Sequence, residues 1–252
     1  MRDDIGDVDR QTRGRAARVA WAVVSVFVVE SLVLGGSVLP AVAFWTWHLR
    51  WSGVAPWLRV VFLAMAFVPA YLLFAVGVMV LSAAATRALG WRTPDGVRAR
   101  LADYEWPLLD WGRYLITIHV VRLFAGPVFR ATPVWTLYLR LNGAHVGRGV
   151  WVNSLALMDH NLLTLGDGAV VGSDAHVSGH VVEAGVLRTA RVRVGARATI
   201  GIGSVVEIGA DVGEGTQVGA LTVVPKGARL EPWAVYVGTP ARRIDAPAHV
   251  TT

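Results

Sequence analysis

The chain has 252 residues, 54% of them apolar, and a mean hydropathy of +0.49, which predicts a membrane segment joined to a folded domain rather than one ordinary globular domain. It contains no cysteine, which excludes disulfides and thiolate chemistry. The net charge is +6, and the basic residues are almost all arginine, since Lys226 is the only lysine. The arginines flank apolar runs, so we expect an anionic lipid or cofactor as partner and no nucleic acid.

Two apolar runs predict a transmembrane helical hairpin over residues 19–85. Residues 60–85 contain no charged side chain, and a helix crosses a bilayer with only ~20 residues. Residues 19–47 form the other run. A cleaved signal peptide is the alternative, because residues 41–43 read Ala-Val-Ala, but the length of the run and the span that follows favour a retained hairpin.

The distribution of arginines predicts the orientation of this hairpin. Residues 1–18 form a basic tail, and more arginines follow the second run, whereas the connector holds only Arg50 and Arg59. The positive-inside rule then places both ends in the cytoplasm of a multi-pass protein of the cell (inner) membrane. The arginines outside the connector are Arg2, Arg10, Arg13, Arg15, Arg18, Arg87, Arg92, Arg98 and Arg100.

The first run contains two irregular features. Glu30 is a charged residue inside a predicted span, which indicates either a functional group or a protonated or paired glutamate at a helix interface. Gly35, Gly36 and Ser37 are small, so they would let neighbouring helices approach closely.

Residues 86–143 predict a junction of helices lying in the membrane interface, because tryptophans and arginines alternate with apolar residues there. His119 lies in an apolar stretch and is interpreted as a packing histidine. Pro127 is expected to end its helix.

Residues 144–235 carry a six-residue repeat. A helix has a period of 3.6 and a half-buried strand a period of two, so neither accounts for this spacing. Three six-residue edges make a triangular turn of 18 residues with one aliphatic side chain per edge pointing inward, and about five such turns are expected. The repeated aliphatic residues are Val194, Ile200, Val206, Val212, Val218, Val224 and Leu230. Upstream, Val146 and Val152 keep the same phase, whereas Leu165, Val171 and Val177 keep the spacing one residue out of step.

This pattern resembles the hexapeptide-repeat acyltransferases, whose fold is a left-handed parallel β-helix. Together with the predicted hairpin, this gives a membrane-anchored β-solenoid as the expected fold. The resemblance also implies a homotrimer with active sites between subunits. It extends to Lys226 and to Gly238-Thr239-Pro240-Ala241-Arg242, which opens the C-terminal tail of residues 236–252. By resemblance, Lys226, Arg242 and Arg243 would hold the phosphates of coenzyme A. Alternatively, the Gly-Pro turn merely ends the solenoid and the arginines are solvated.

A non-repeating insert over residues 178–193 interrupts the rhythm. In the family, an extruded loop carries the catalytic histidine, and the resemblance assigns that role to His180. A histidine can be neutral at working pH and can accept a proton from an attacking amine or hydroxyl. Glu183 would hold the imidazole, balance its charge or bind an amine on the acceptor. An ordinary surface histidine is the alternative.

Weaker candidates lie nearby. His176 precedes the insert, and Asp159, His160 and Asn161 occur where the first phase of the repeat breaks. His145 lies on the edge that enters the repeat. We expect no metal and no tightly bound cofactor, since the thioester donor is a substrate.

From about Trp106 to residue 244 the chain also resembles the membrane-embedded terminal region of nonribosomal peptide synthetases of the poly-lysine synthetase type, with His180-Val181-Val182-Glu183 matching a His-Leu-Phe-Glu-like segment. No adenylation or carrier segment is recognisable, so the resemblance implies acyl-coenzyme A or an adenylation–carrier partner as the donor. Three functions stay open: acyl or aminoacyl transfer, acetylation of a lipid-linked sugar or exported metabolite, and a catalytically silent trimeric scaffold.

Overall fold

The computed structural model describes residues 2–48 and 50–244, with side chains described from Thr12 onward. Two long helices are followed by a helical junction, three sheets of mainly parallel strands and a small antiparallel sheet. The side chains of Arg2 and Arg10, and residues 245–252 of the expected tail, lie outside the described residues.

The two long helices are α1 (Arg2–His48) and α2 (Pro56–Leu89). They approach each other closely at small residues. A Cβ added to Gly36 would lie 3.1 Å from Leu81 Cδ1, and one added to Gly77 would lie 3.1 Å from Ser37 Cβ. The predicted close approach is therefore confirmed at Gly36 and Ser37, whereas Gly35 faces open space.

Most of the apolar surface of α1 and α2 is not covered by the protein. Phe27 and Leu32 on α1 are 74% and 70% exposed, and Met65 on α2 is 71% exposed. Both helices are long and apolar enough to cross a bilayer by length and composition.

The junction consists of a short strand, a 3₁₀ turn at Leu101–Asp103 and three helices, namely β1 (Arg98–Arg100), α3 (Trp106–Phe124), α4 (Gly126–Phe129) and α5 (Pro133–Leu141). The interfacial position predicted for all of these helices does not describe α5. Its side chains Trp135, Tyr138 and Leu139 are fully buried in the same core cluster as the sheets. The apolar face of α5 therefore caps the repeat region.

The remaining strands are short, and in chain order they are β2 (His145–Val146), β3 (Trp151–Val152), β4 (Leu163–Leu165), β5 (Val170–Val171), β6 (His176–Val177), β7 (His180–Glu183), β8 (Val186–Thr189), β9 (Val192–Val194), β10 (Thr199–Ile200), β11 (Val205–Val206), β12 (Asp211–Val212), β13 (Gln217–Val218), β14 (Val223–Val224), β15 (Arg229–Leu230), β16 (Val235–Val237) and β17 (Arg242–Ile244). All of them except β7 and β8 belong in turn to three sheets, with the strand orders β15-β12-β9-β4-β2, β17-β16-β13-β10-β5-β3 and β14-β11-β6. Within these three sheets only β17 pairs antiparallel, whereas β7 and β8 form a separate antiparallel sheet with β1.

The registers confirm the six-residue period predicted for the parallel sheets. Val206 pairs with Val224 and Val212 with Leu230, each 18 residues apart, so the chain returns to the same sheet after three edges. All seven aliphatic residues from Val194 to Leu230 are buried. A glycine such as Gly201 follows several of them because neighbouring turns lie in close contact. A Cβ added there would come within 2.5 Å of backbone.

Candidate active site

Two departures from the repeat converge on one corner of the fold. Leu165 pairs with Val194, 29 residues later instead of 18, because the antiparallel hairpin β7–β8 is inserted between them. Upstream, Val146 pairs with Leu165, 19 residues later, so the segment between them holds one extra residue. That segment contains Asp159, whose φ of +56° lies in the left-handed region that aspartate tolerates better than most residues.

The Asp159 and His180 side chains meet at this corner. His180 Nδ1 lies 2.6 Å from Asp159 Oδ2, and the Asp159 side chain is only 1% exposed. A carboxylate can only accept, so this contact assigns the ring proton to Nδ1, which donates to Asp159. His180 Nε2 has no hydrogen-bond partner within the described chain, and the side chain is 18% exposed. The free nitrogen is therefore available to accept a proton.

A junction residue also holds the other oxygen of the Asp159 carboxylate. Thr93 Oγ1 donates to Asp159 Oδ1 over 2.7 Å. The side-chain amide of Asn161 makes two hydrogen bonds to the Thr93 backbone. Its Oδ1 accepts from Thr93 N at 3.2 Å, and its Nδ2 donates to Thr93 O at 2.8 Å. Asn161, a weaker candidate in the sequence, is thus three contacts away from the imidazole, through Thr93 and Asp159.

Helix α3 and the turn before β7 restrict the imidazole further. The Trp111 ring lies 4.9 Å from the His180 ring at an interplanar angle of 62°. Ser178 Oγ donates to His180 O at 2.9 Å and lies 3.2 Å from Nδ1. The hairpin is also paired to the junction, because β8 runs antiparallel to β1. The His180 side chain is therefore held by the helical part of the protein as well as by the repeat.

The other candidate histidines have different surroundings. His160 is fully buried, its Nε2 donates to Leu157 O at 3.1 Å, and burial lowers its pKa to about 4. Its ring stands edge-on to Tyr138, which is a packing position. His176 on β6 is half-buried, and burial, followed by the charge of His180, lowers its pKa. His145 is exposed on β2.

Glu183 does not reach the imidazole. Residues 180 and 183 are three positions apart on β7, so their side chains point to opposite faces of the strand. Glu183 instead pairs with Lys226, which lowers the pKa of the Glu183 carboxyl. The orienting role predicted for Glu183 falls to Asp159.

The three cations predicted for the donor have unequal environments. Lys226 is occupied by Glu183, and Arg243 pairs with Glu231. The side chain of Arg242, at the start of β17, is exposed and has no hydrogen bond or ion pair among the described residues.

A cavity of about 1020 Å³ opens on the junction side of this corner. It lies at the C-terminal end of α2 and extends to the residues that hold Asp159. Its lining includes Arg87, Trp91, Thr93, Trp106, Asn161 and Arg191. Within the described residues, no group of three or more histidine, aspartate or glutamate side chains is placed to hold a metal ion.

Sequence reasoning missed Thr93 and Trp111. Both come from the junction, 66 and 69 residues before the groups they contact, and neither belongs to a motif. Asp159 could be found from the sequence, because it lies where the first phase of the repeat breaks and was a weaker candidate for that reason.

Comparison with known proteins gives one curated sequence relative, and no protein-family model matches the chain. The relative is a delta-poly-L-ornithine synthetase from Acinetobacter baumannii (strain AB307-0294), 26% identical over 112 residues. The match covers 44% of this chain and 8% of the synthetase, so the chain corresponds to a small part of that protein. It confirms the predicted resemblance to amino-acid-polymer synthetases.

Solved structures similar to this chain include hexapeptide-repeat transferases. They include AntD, an N-acyltransferase from Bacillus cereus, with 24% identity, coverage of 41% of this chain and 60% of AntD, and a TM-score of 0.35. A hexapeptide-repeat acetyltransferase from Vibrio cholerae has 14% identity, coverage of 54% and 92%, and a TM-score of 0.44. A maltose O-acetyltransferase from Clostridium difficile 630 has 17% identity, coverage of 59% and 91%, and a TM-score of 0.43.

Proposed function

We propose that the protein is a membrane-bound acyltransferase that moves an acyl or aminoacyl group from a thioester to an amine or hydroxyl, with His180 as general base. The Asp159–His180 contact of 2.6 Å is the observation on which the proposal depends. A buried carboxylate that fixes one imidazole nitrogen and leaves the other free is the arrangement that proton transfer from a nucleophile requires.

The reaction needs no covalent enzyme intermediate. The acceptor nitrogen or oxygen attacks the thioester carbonyl carbon while His180 Nε2 takes the proton of the acceptor. The resulting imidazolium is stabilised by Asp159. Collapse of the tetrahedral intermediate breaks the carbon–sulfur bond, and the sulfur leaves as a thiol with the proton from Nε2. The products are an amide or ester and a free thiol.

Either coenzyme A or a carrier protein would supply the thioester, since both present it on a phosphate-bearing pantetheine arm. Lys226, Arg242 and Arg243 are proposed to contact the phosphates. Because Glu183 already occupies Lys226, a phosphate would have to displace this carboxylate. The match to the poly-ornithine synthetase supports aminoacyl transfer with an adenylation–carrier partner.

The finer fold and assembly are part of the proposal. We infer a left-handed β-helix of about five turns that assembles as a homotrimer, by resemblance to the hexapeptide-repeat transferases. The rotation of the chain among three sheets at 18-residue intervals supports the helix. Light scattering of the detergent-solubilised protein would give the trimer directly.

We further propose that α1 and α2 span the cell membrane and that the repeat region lies in the cytoplasm. A core helix of a water-soluble protein would be mostly buried, whereas only 22% and 17% of the most apolar windows of these helices are buried. The arginine distribution supports the cytoplasmic orientation.

His180→Ala tests the catalytic proposal, with thiol release from an acyl thioester as the measurement. A general base contributes ~10²–10⁴-fold to the rate, so a loss in that range is expected. His145→Ala is the matched control, because this histidine is exposed on β2 and has no hydrogen bond to Asp159 or His180 within the described chain. Unchanged turnover of His180→Ala would favour the catalytically silent scaffold.

The cavity at the end of α2 favours a second candidate function, O- or N-acetylation of a lipid-linked sugar or exported metabolite. Its tryptophans and arginines suit a polar group held at the membrane surface. Comparing acetyl-coenzyme A with aminoacyl thioesters as donors, against lipid-linked and amino-acid acceptors, separates the two functions.

A further inference from the structure

The cavity at the end of α2 lies where this helix would leave the membrane. Residues 60–85 carry no charge, and Arg87, which lines the cavity, is the first charged residue after them. An uncharged helical run of this length rises ~39 Å, which is enough to cross the ~30 Å hydrocarbon layer. Trp106 also lines the cavity and is 40% exposed, which suits an indole ring at the lipid–water boundary. With α1 and α2 in the membrane as proposed, the cavity is at the depth of the lipid headgroups.

The carboxylates that line this cavity are already paired. Asp95 Oδ2 lies 2.6 Å from Arg191 Nε, and Asp110 pairs with Arg113. Within the described chain, these two aspartates are the only acidic side chains of the lining. A cationic ligand would therefore find no free carboxylate, which disfavours an ammonium group as the occupant.

Two arginines of the lining have no such partner. Arg87 and Arg92 are exposed, and neither side chain has a hydrogen bond or an ion pair among the described residues. The C-terminus of α2 and the N-terminus of α3 both reach the cavity, and their partial charges of about −0.5 and +0.5 oppose each other. The two arginines therefore determine the sign of the local charge, and the cavity attracts an anion.

The buried unpaired groups of this region are donors as well. Asn142 lines the cavity and is 5% exposed, its Oδ1 accepts from Thr86 Oγ1 at 3.2 Å, and its Nδ2 has no hydrogen-bond partner among the described residues. The guanidinium of Arg113 lies 5.1 Å from the ring centres of Trp91 and Trp106, which both line the cavity, and its buried Nε is unpaired too. Such N–H groups can only donate, so they favour a ligand rich in acceptor oxygens.

We infer that this cavity binds the phosphate group of an anionic membrane lipid, with Arg87 and Arg92 as its charged partners. Forked guanidinium groups match phosphate oxygens, and anionic lipids are the anions that the cytoplasmic leaflet presents at this depth. The volume of about 1020 Å³ is at the upper end of the roughly 300–1,000 Å³ found for small-molecule sites, so a whole headgroup fits. The inference rests on the proposed membrane spans and does not depend on the catalytic role of His180.

The phosphate would not lie at the reacting atoms. Neither His180 nor Asp159 lines the cavity, whereas Thr93 does, and the Thr93 hydroxyl donates to Asp159 over 2.7 Å. A bound lipid would therefore contact the segment that holds the Asp159 carboxylate without placing its phosphate against the imidazole.

The test measures binding of short-chain lipids. Full-length protein in detergent micelles is titrated by calorimetry with dihexanoyl phosphatidylglycerol and with dihexanoylglycerol, which has the same chains and no phosphate. We expect the phospholipid to bind at least about tenfold more tightly, as for one charge-assisted hydrogen bond. Arg87→Gln and Arg92→Gln should each weaken its binding about tenfold, and added salt should weaken it further. Glycerol 3-phosphate is titrated as the soluble source of the same phosphate group and should bind more weakly than the phospholipid.

Arg98→Gln is the matched control, because Arg98 is exposed on β1, six residues after Arg92, and does not line the cavity. It should leave the affinity for the phospholipid unchanged. Unfolding temperatures are measured alongside, to show that the variants are folded. Equal affinity for the two lipids, or a preference that survives in a folded Arg87→Gln/Arg92→Gln double variant, would overturn the inference. Glycerol 3-phosphate binding as tightly as the phospholipid would overturn the assignment to a lipid.

Alkaline extraction of membranes that contain the protein tests the spans separately. We expect the wild type and all the arginine variants to stay in the membrane fraction, since the apolar surfaces of α1 and α2 are unchanged. Retention in the membrane without a preference for the phospholipid would refute the lipid site and spare the spans. Release into the supernatant would contradict the spans, and the lipid site with them.

Discussion

Replacing Asp159 by asparagine should inactivate the protein through the imidazole tautomer. The Thr93 hydroxyl donates to Asp159 Oδ1, so the amide oxygen of an asparagine would take that position. The amide NH₂ would then face His180 Nδ1, where the carboxylate Oδ2 now lies at 2.6 Å. A donor at this place forces the ring proton onto Nε2, which can no longer accept a proton from the acceptor.

Two effects determine how far Asp159→Asn lowers the turnover rate. Loss of the charge-assisted hydrogen bond alone costs about 1.5–3 kcal/mol, or roughly ten- to a hundredfold in rate. The wrong tautomer adds to this, and the analogous change in a serine protease lowers kcat by about 10⁴. We expect Asp159→Asn to reduce thioester turnover by about 10²–10⁴-fold.

The assay is release of the thiol from the donor, followed with a thiol-reactive chromophore. The chain contains no cysteine, so the protein contributes no background signal. Asp211→Asn is the matched control, since Asp211 lies on β12 and has only a distant contact of 3.9 Å with Arg193. It should leave the rate within about threefold, as expected of a weak surface pair.

The double variant Asp159→Asn/Thr93→Ala tests whether the tautomer of His180 explains the loss of activity. Without the Thr93 hydroxyl, the asparagine amide is free to turn its oxygen toward His180 Nδ1 and restore the productive tautomer. The double variant should therefore be about tenfold more active than Asp159→Asn, since a neutral hydrogen bond replaces a charged one. If Asp159→Asn keeps full activity, or if both variants are equally inactive while folded, the tautomer explanation is wrong.

Three further predictions concern stability and donor binding. The unfolded chain protonates His160 near its ordinary pKa of 6.5, whereas the folded chain does so only near 4, so stability falls as pH drops through this interval, by ~2 kcal/mol at pH 5. Chemical unfolding at pH 7 and pH 5 should show that His160→Leu lacks this part of the loss, and an unchanged difference would contradict it. Glu183→Gln frees Lys226 and should lower the KM for coenzyme A thioesters about threefold. An unchanged KM would show that the lysine does not contact the donor. Gly201→Val should lower the unfolding free energy by ~3 kcal/mol, because its Cβ would lie within 2.5 Å of the next turn, whereas a wild-type melting curve would contradict the close packing of neighbouring turns.

The repeat could be predicted from the sequence because its signal is local. One aliphatic residue every six positions determines the inward face of each edge, and the buried series from Val194 to Leu230 follows directly. The insert itself was predictable for the same reason, since residues 178–193 break the period and His180 begins its first strand, β7. The prediction that Glu183 holds the His180 imidazole was wrong. Glu183 is near His180 in sequence, but side chains alternate between the faces of a strand, so it points to the opposite face of β7 and pairs with Lys226.

The residues that complete the site were not predictable, because they reach it through tertiary packing. Thr93 and Trp111 belong to a junction whose composition indicated only a membrane interface. Nothing in the spacing of residues 86–143 specifies that β1 pairs with the inserted hairpin, or that α5 is buried against the sheets.

The helical part and the repeat region share one core, so the site depends on both. Ala83 of α2, Trp135 of α5 and Val194 of β9 belong to the same buried cluster. The hydroxyl of Thr86, near the end of α2, donates to Asn142 at the entrance to the repeat, over 3.2 Å. The carboxylate that orients His180 is therefore held by a segment whose position is fixed by the predicted spans. The proposed membrane attachment and the proposed catalysis would thus be coupled, because moving α2 would move Thr93 and release Asp159.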